Sequence, residues 1–310
     1  YGGLQFSLST WRAYGGPGYP HQQSRETQIA IATKLRNARL EDVLGAHGAE
    51  NVQGEEQQKL DVIADDIMIA ALSGCDSVAL LGSEEDDELI YTGNKAPYSF
   101  GVFFDPLDGS SNLDVAGGVG TIFSIYRVTA DGEYGLRPGN EQVAAGYVLY
   151  GSSTLMAVSA GSGVHLFVLD VAQGDFIRVA EKLQIPKRGK IYSVNEANEG
   201  SFPDGYRRYL ASCHERGYSG RYAGAMVADV HRLLLKGGVF LYPPTAKASN
   251  GKLRLMYECN PMGKIVCDAG GAAESGSGPI QDVQPSELHQ RVPVVLGSSD
   301  DVADVLKFLP

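Results

Sequence analysis

The stretch "FDPLDGSSNLD", Phe104 to Asp114, sets three aspartates, a proline and a Gly-Ser-Ser-Asn turn directly behind the apolar run Gly101-Val102-Phe103. Asp105 and Asp108 are three apart. Pro106 is expected to stop the strand and Gly109 permits a sharp reversal, so both carboxylates can point into one pocket at the strand's end. A loop behind a buried strand is a usual place for a site. Taken alone, such a turn is slightly more often a plain polar turn, so its neighbours have to decide.

Further acids stand in similar settings. Glu84, Glu85, Asp86 and Asp87 follow the strand-like "SVALLG" (77–82), Asp61 follows "QGEEQQKL" (53–60), and Glu258 stands at the start of a predicted helix. Each segment alone reads as a solvated acidic surface, but two strands that both end in paired acids point to a shared site. Two like charges about 4 Å apart repel by about 4 kcal/mol at an effective dielectric near 20, so cations must offset them. Oxygen donors with no convergent Cys–His set select Mg²⁺ or Mn²⁺, and Mg²⁺ is usually completed by water and substrate phosphates. A phosphate compound is therefore the expected substrate. The turn Gly109–Asn112 suits it, because consecutive amides and hydroxyls can cradle phosphate oxygens. A second anionic group would need cations. "NGKLRLMYE" (250–258) offers Lys252 and Arg254 on one face of an alternating segment, and "GRYAGAM" (220–226) offers Arg221 and Tyr222.

The 310 residues are 43% hydrophobic and 20% charged, enough for one large α/β domain or two smaller ones. The net charge of −11 opposes nucleic acid and acidic membrane surfaces as partners, and no apolar run approaches the roughly 18 residues of a membrane span. Cys75, Cys213, Cys259 and Cys267 form no CxxC pair and read as reduced thiols of an intracellular compartment. Residues 1–26 read as an irregular arm. Periodicity predicts helices over Thr27–Leu44 and Leu60–Leu72, then strands at 77–81, 101–104, 121–127, 142–150, 153–159 and 165–169. Beyond a boundary near Pro186–Lys190, strands (190–194, 239–242, 292–296) alternate with helices (205–216, 225–236, one after Glu258, and one opened by Ser298 and Asp301 as a capping box). The domains are thus an arm at 1–26, an N-terminal half at 27–187 and a C-terminal half at 188–310, in an α/β (α+β) layered sandwich.

In chain order, "NVQGEEQQKLDV" (51–62), "GSEEDDELI" (82–90), "FFDPLDGSSNLD" (103–114), "VGTIFSIYR" (119–127), "VAAGYVLYG" (143–151), "KIYSVNE" (190–196), "MVADVHR" (226–232), "GGVFLYP" (237–243), "NGKLRLMYECNPM" (250–262) and "LHQRVPVVLGS" (288–298) resemble class I fructose-1,6-bisphosphatase. DPxDGS with a preceding acidic pair marks the wider metal-dependent, lithium-sensitive sugar-phosphatase superfamily. The resemblance implies a five-layer αβαβα sandwich, a homotetramer, and hydrolysis of the 1-phosphate of fructose 1,6-bisphosphate with two or more Mg²⁺ ions, or Mn²⁺. It implies Glu55, Glu84, Asp105, the Leu107 carbonyl, Asp108 and Glu258 as metal ligands, and Asp61 and Glu85 as the acids that position or deprotonate the attacking water. Gly109, Ser110 and Ser111 would face the 1-phosphate; Asn195, Tyr222, Tyr242 and Lys252 the 6-phosphate; Met226 the sugar. Arg254 joins the substrate contacts as the second cation of the 250–258 segment, and Arg221 would reach the 6-phosphate of a neighbouring subunit. A cytoplasmic protein is expected, or a plastid-stromal one had a transit peptide been removed. The alternatives are a sedoheptulose-1,7-bisphosphatase, a related sugar or inositol phosphatase and, last, a metabolite sensor without turnover.

Departures from the family pattern are informative. Asn198 stands where many members carry a tyrosine at the 6-phosphate. Ser99-Phe100 stands where AMP-inhibited members carry a Lys-Tyr pair, and of that nucleotide site only Arg127 matches. AMP is accordingly expected to inhibit weakly or not at all, which steady-state assays across an AMP titration check; potent inhibition would contradict the reading of these positions.

Overall fold

The structure, a computed structural model, describes residues 29–35, 37, 44, 46–50, 56–94, 99–128 and 136–310; at 46–50, 56 and 57 it describes the backbone alone. The arm at 1–26 and Glu55 lie outside the described residues. Of the first predicted helix, residues 29–35 and 37 are helical.

A short antiparallel pair, β1 (Ala46–Glu50) and β2 (Glu56–Gln58), leads into helix α1 (Lys59–Ser73). There follow β3 (Val78–Ser83), β4 (Ile90–Tyr91), β5 (Phe100–Asp108), β6 (Val119–Arg127), β7 (Gln142–Tyr150), β8 (Thr154–Ser159), β9 (Val164–Asp170) and β10 (Asp175–Leu183). They form one eight-stranded sheet in the order β10-β9-β8-β7-β6-β5-β3-β4. From β5 to β10 it is an antiparallel meander, whereas β3 and β5 run parallel.

The rest of the chain supplies β11 (Ile191–Ser193), α2 (Asp204–Glu215), β12 (Ser219–Gly220), α3 (Met226–Lys236), β13 (Val239–Tyr242) and β14 (Leu253–Arg254). A π turn at Leu255–Cys259 runs into α4 (Asn260–Asp268), and β15 (Ala272–Glu274), β16 (Arg291–Val292), β17 (Val294–Gly297) and α5 (Ser299–Leu306) complete it. A five-stranded sheet has the order β12-β11-β13-β17-β15.

Strand periodicity explains the stacking, because successive side chains enter opposite layers. On β8, Met156 and Val158 pack with Ile31 of the helical residues 29–35 and with Leu60, Ala64 and Met68 of α1. Ala157 between them joins Val230, Leu233, Ile265 and Val266 of α3 and α4. The same alternation on β13 sends Phe240 to that middle helical layer and Val239 and Leu241 to Tyr209 and Leu210 of α2 and Val302 and Val305 of α5. Helices, sheet, helices, sheet, helices: the five-layer α/β sandwich is the observed fold. Among the described residues no helix is long and apolar enough to cross a membrane.

Four local expectations change. Pro106 does not end its strand; β5 continues to Asp108 with all nine residues buried, and the register against β6 shifts between Asp105 and Asp108. Pro106 has no N–H to lose from a ladder, and its carbonyl accepts a hydrogen bond from the Thr121 hydroxyl at 2.9 Å. β10 escaped the sequence pattern because it is an edge strand in which Phe176 alone is buried. The strand expected over 292–296 is two, β16 and β17, broken at Pro293. Finally, Ser298 does not cap α5. Its hydroxyl donates to the Pro186 carbonyl at 2.5 Å and accepts from the Gly238 N–H at 2.9 Å, while the fully buried Asp301 carboxylate takes the Gly189 N–H at 2.7 Å and the Tyr218 hydroxyl at 2.8 Å. Both side chains tie the 186–189 segment to α5 instead. Asp301→Ala strands those donors and is expected to cost about 1–3 kcal/mol, read as a shift of the urea unfolding midpoint at unchanged slope.

Candidate active site

Parallel neighbours in a sheet end side by side. Ser83 at the end of β3 lies opposite Phe104 of β5, so Glu84 and Glu85 leave one strand beside Asp105 and Asp108 on the other. A side-chain period of two would send residues three apart to opposite faces. The register shift within β5 places one extra residue between Asp105, opposite Ile122, and Asp108, opposite Gly120, which restores a common face. Glu258 arrives from the C-terminal half on the π turn, whose Met256 and Tyr257 pack on Leu80, Phe103 and Tyr126 of the sheet.

Asp105, Asp108 and Glu258 bring carboxylate oxygens within 4.8 Å of one another, and all three are buried. Burial, then Glu84, Asp108 and Glu258, push the Asp105 carboxyl well above the ordinary range. Burial likewise raises Asp108 to about 7 despite the amide donors of Val227 and Met226, and Glu258 to about 8 despite Arg254 beside it. The Arg254 guanidinium supplies part of the compensation: Nη1 stands 2.6 Å from Glu84 Oε1 and 3.9 Å from Glu258 Oε2, and the Arg254 N–H donates to Glu258 Oε2 at 2.5 Å. The N-terminus of α3 supplies another part. Ala225 at its N-cap offers no side-chain acceptor, and Asp108 takes the Val227 N–H at 2.6 Å in its place. One guanidinium and one helix end do not balance four buried acids. Their all-oxygen, inward-facing arrangement is a fitting seat for hard divalent cations.

The cluster forms the floor of a cleft of about 660 Å³ that straddles both halves of the chain. Asp61, Glu84, Glu85, Asp105, Leu107, Asp108 and Glu258 line it, as do Gly109, Ser110 and Ser111. Asn195, Tyr222, Met226, Tyr242, Lys252 and Arg254 line it from the C-terminal half. Asp61 sits in the first turn of α1 and accepts the Gln58 N–H at 2.8 Å, so it caps the helix as well as facing the cleft. Leu107 donates its N–H to Asp105 Oδ1 at 2.9 Å. Lys252 is exposed, whereas Arg254, expected beside it as a cationic contact, is buried against the acids. Arg221 does not join its own cleft; it is exposed and donates to the Gly220 carbonyl. Glu55 lies outside the described residues. Arg127 rests its guanidinium 5.7 Å over the Phe100 ring.

Sequence reasoning missed Phe240, Leu253, Gly224 and Ala225 in the lining, and the buried Asp65, which accepts the Ser83 hydroxyl at 2.5 Å while that hydroxyl accepts the Glu85 N–H at 3.2 Å. Asp65 was findable as an acid one helical turn after Asp61. The apolar lining carries no signal apart from fold.

Comparison with known proteins agrees with this geometry. A family model described as fructose-1-6-bisphosphatase, N-terminal domain, matches residues 24–181, and one described as fructose-1-6-bisphosphatase, C-terminal domain, matches residues 185–310. The chain belongs to the fructose-1,6-bisphosphatase family. Holo Leishmania major fructose-1,6-bisphosphatase is similar at 37% identity and a TM-score of 0.90, over 97% of this chain and 98% of that one. The apo form of the Leishmania major enzyme is similar at 35% identity and a TM-score of 0.85, over the same shares. A transglycosylase-like domain model also matches residues 1–41, of which 29–35 and 37 are described; none of the cleft residues belongs to it.

The raised acids carry a stability consequence. Between the ordinary carboxylate range near about pH 4 and the folded values of about 7 for Asp108 and about 8 for Glu258, the folded protein binds more protons than the unfolded chain. Their contribution is full below that window and is lost as pH rises through it. Without divalent ions the thermal midpoint should fall from pH 6 to pH 8, less so in Glu258→Gln, and Mg²⁺ should raise it more at pH 8 than at pH 6. Equal Mg²⁺ gains at both pH values in a thermal scan would contradict this.

Proposed function

We propose that this cleft hydrolyses the 1-phosphate of fructose 1,6-bisphosphate, leaving fructose 6-phosphate and inorganic phosphate. The observation that carries the reading is the junction itself: a buried oxygen cluster on one side of a single cleft and Asn195, Tyr222, Tyr242 and Lys252 on the other. Family membership and the likeness to the Leishmania enzyme support it. The chain is thereby a phosphatase of carbohydrate metabolism.

Glu84, Asp105, Asp108, Glu258 and the Leu107 carbonyl, with Glu55, would hold two or more Mg²⁺ ions, or Mn²⁺, which supply Lewis-acid charge neutralisation at the phosphoryl group and a more acidic water. The turn Gly109–Ser111 directs hydroxyls and amides to the 1-phosphate oxygens. Asp61 and Glu85 flank the cluster, where a carboxylate can orient the attacking water and accept its proton. Met226 lies against the sugar, and Asn195, Tyr222, Tyr242 and Lys252 hold the 6-phosphate, so binding at the far end orients the reacting end. Arg221, outside its own cleft, would serve a neighbouring subunit of a homotetramer. The halves 27–187 and 188–310 would be the two domains whose junction makes the site, in a cytoplasmic or plastid-stromal protein.

Phosphate release measured in parallel tests this. With Mg²⁺, fructose 1,6-bisphosphate should be hydrolysed in preference to sedoheptulose 1,7-bisphosphate and inositol monophosphate, fructose 6-phosphate should remain untouched, and chelation should stop turnover. Comparable turnover of inositol monophosphate would reject the far-end assignment. Asp61→Asn, which keeps an oxygen for the Gln58 N–H, should lower kcat by about 10²–10⁴-fold with little change in KM; unchanged kcat would remove Asp61 from the proton-accepting role.

A further inference from the structure

The two ends of the cleft are joined through the backbone of one residue, Ala223. The N–H of Ala223 donates to both carboxylate oxygens of Asp229, at 3.0 and 2.9 Å. Its carbonyl accepts from Asn112 Nδ2 at 3.0 Å, and the same amide nitrogen donates to the Gly118 carbonyl at 3.2 Å. Asn112 closes the turn assigned to the 1-phosphate. Ala223 directly follows Arg221 and Tyr222, assigned to the 6-phosphate. Neither Asn112 nor Asp229 lines the cleft.

Both holders are themselves fixed. Asp229 is fully buried on α3, with Arg232 Nη1 at 3.2 Å, and the same helix is tied to Asp108 through the Val227 N–H. Asn112 is half-buried, and its backbone closes the turn by Asn112 N–H to Gly109 carbonyl at 2.9 Å and Gly117 N–H to Asn112 carbonyl at 2.9 Å. The segments also touch directly: Gly109 has φ +77°, and a Cβ there would lie 2.3 Å from the Ala225 Cβ. A carboxylate with no role in apolar packing therefore sits on the core face of α3, and a turn amide reaches across 111 positions of sequence, both to hold the backbone of the same residue.

Resting on the function proposed above, we infer that Asn112 and Asp229 are positioning residues that set the separation of the two phosphate sites, and so the preference for a bisphosphate over a sugar ester lacking the far phosphate. A displacement on the order of 1 Å in the far-end segment can cost up to about 10²-fold in rate. A substrate without a far phosphate is insensitive to that displacement, so the signature is a change in preference rather than in turnover alone.

The test compares kcat/KM for fructose 1,6-bisphosphate with kcat/KM for fructose 1-phosphate, both with Mg²⁺, in the wild type, Asn112→Ala and Asp229→Asn, and measures inhibition by fructose 6-phosphate in each. The ratio should fall about tenfold in both variants, and the fructose 6-phosphate inhibition constant should rise by a similar factor. Parallel loss on both substrates, with ratio and inhibition constant unmoved, overturns the inference and leaves an ordinary structural role. Should Asp229→Asn fail to fold, Asn112→Ala decides alone, since Asn112 stands on a half-buried turn. A wild type that hydrolyses neither sugar phosphate removes the underlying reading and the inference with it, whereas a wild type that prefers the bisphosphate with an unmoved ratio in the variants overturns the clamp only.

Discussion

Asp105, Asp108 and Glu258 are buried around one point, with the buried Glu84 acting on Asp105 beside them. Desolvation and mutual repulsion make that arrangement expensive, and much of the surrounding architecture reads as its compensation. Arg254 turns its guanidinium inward onto Glu84. Helix α3 aims the Val227 amide at Asp108, and the Arg254 amide meets Glu258. What these leave uncompensated is the cation-binding capacity of the cleft.

The same constraint accounts for the sheet. A meander alone would separate the ends of successive strands, because antiparallel neighbours point opposite ways. Inserting β3 parallel to β5 sets two carboxyl-terminal strand ends together, and the register shift after Asp105 turns residues three apart to one side. Glu258 then has to come from the other half, carried on a π turn anchored by Met256 and Tyr257. Interruptions of regular geometry often fall at functional sites, and here the bulge and the π turn each deliver one carboxylate.

Most of the helices and strands were legible because their apolar spacing is strong: β7 and β13 coincide with their expected bounds, and α1, α2 and α3 agree within about one residue. Legibility failed where a residue's partner is remote. Pro106 reads as a stop until the Thr121 hydroxyl is found on its carbonyl. Ser298 and Asp301 read as a capping box until Pro186, Gly238, Gly189 and Tyr218 are seen to claim their side chains. β10 reads as loop because an edge strand needs little apolar patterning. In the cleft, charged positions stood out from the sequence, but Phe240, Leu253 and Ala225 could not, since an apolar residue that lines a site resembles any other core residue.

By itself the sequence determined which chemistry was available. DPxDGS behind an apolar run, a second acidic pair, and two cations in an alternating segment carry oxygen ligands, a phosphate-sized turn and positive charge, and residue type alone sets hardness, charge and hydrogen-bonding capacity. Only the tertiary structure decided which of those groups meet. It drew Arg254 into the acids, left Arg221 outside the cleft, made Asp108 the cap of a helix from the other half, and joined Asn112 to Asp229 through Ala223. These pairings span up to 170 positions of sequence, from Glu84 to Arg254; they depend on strand direction, register and layer packing, which no local pattern encodes.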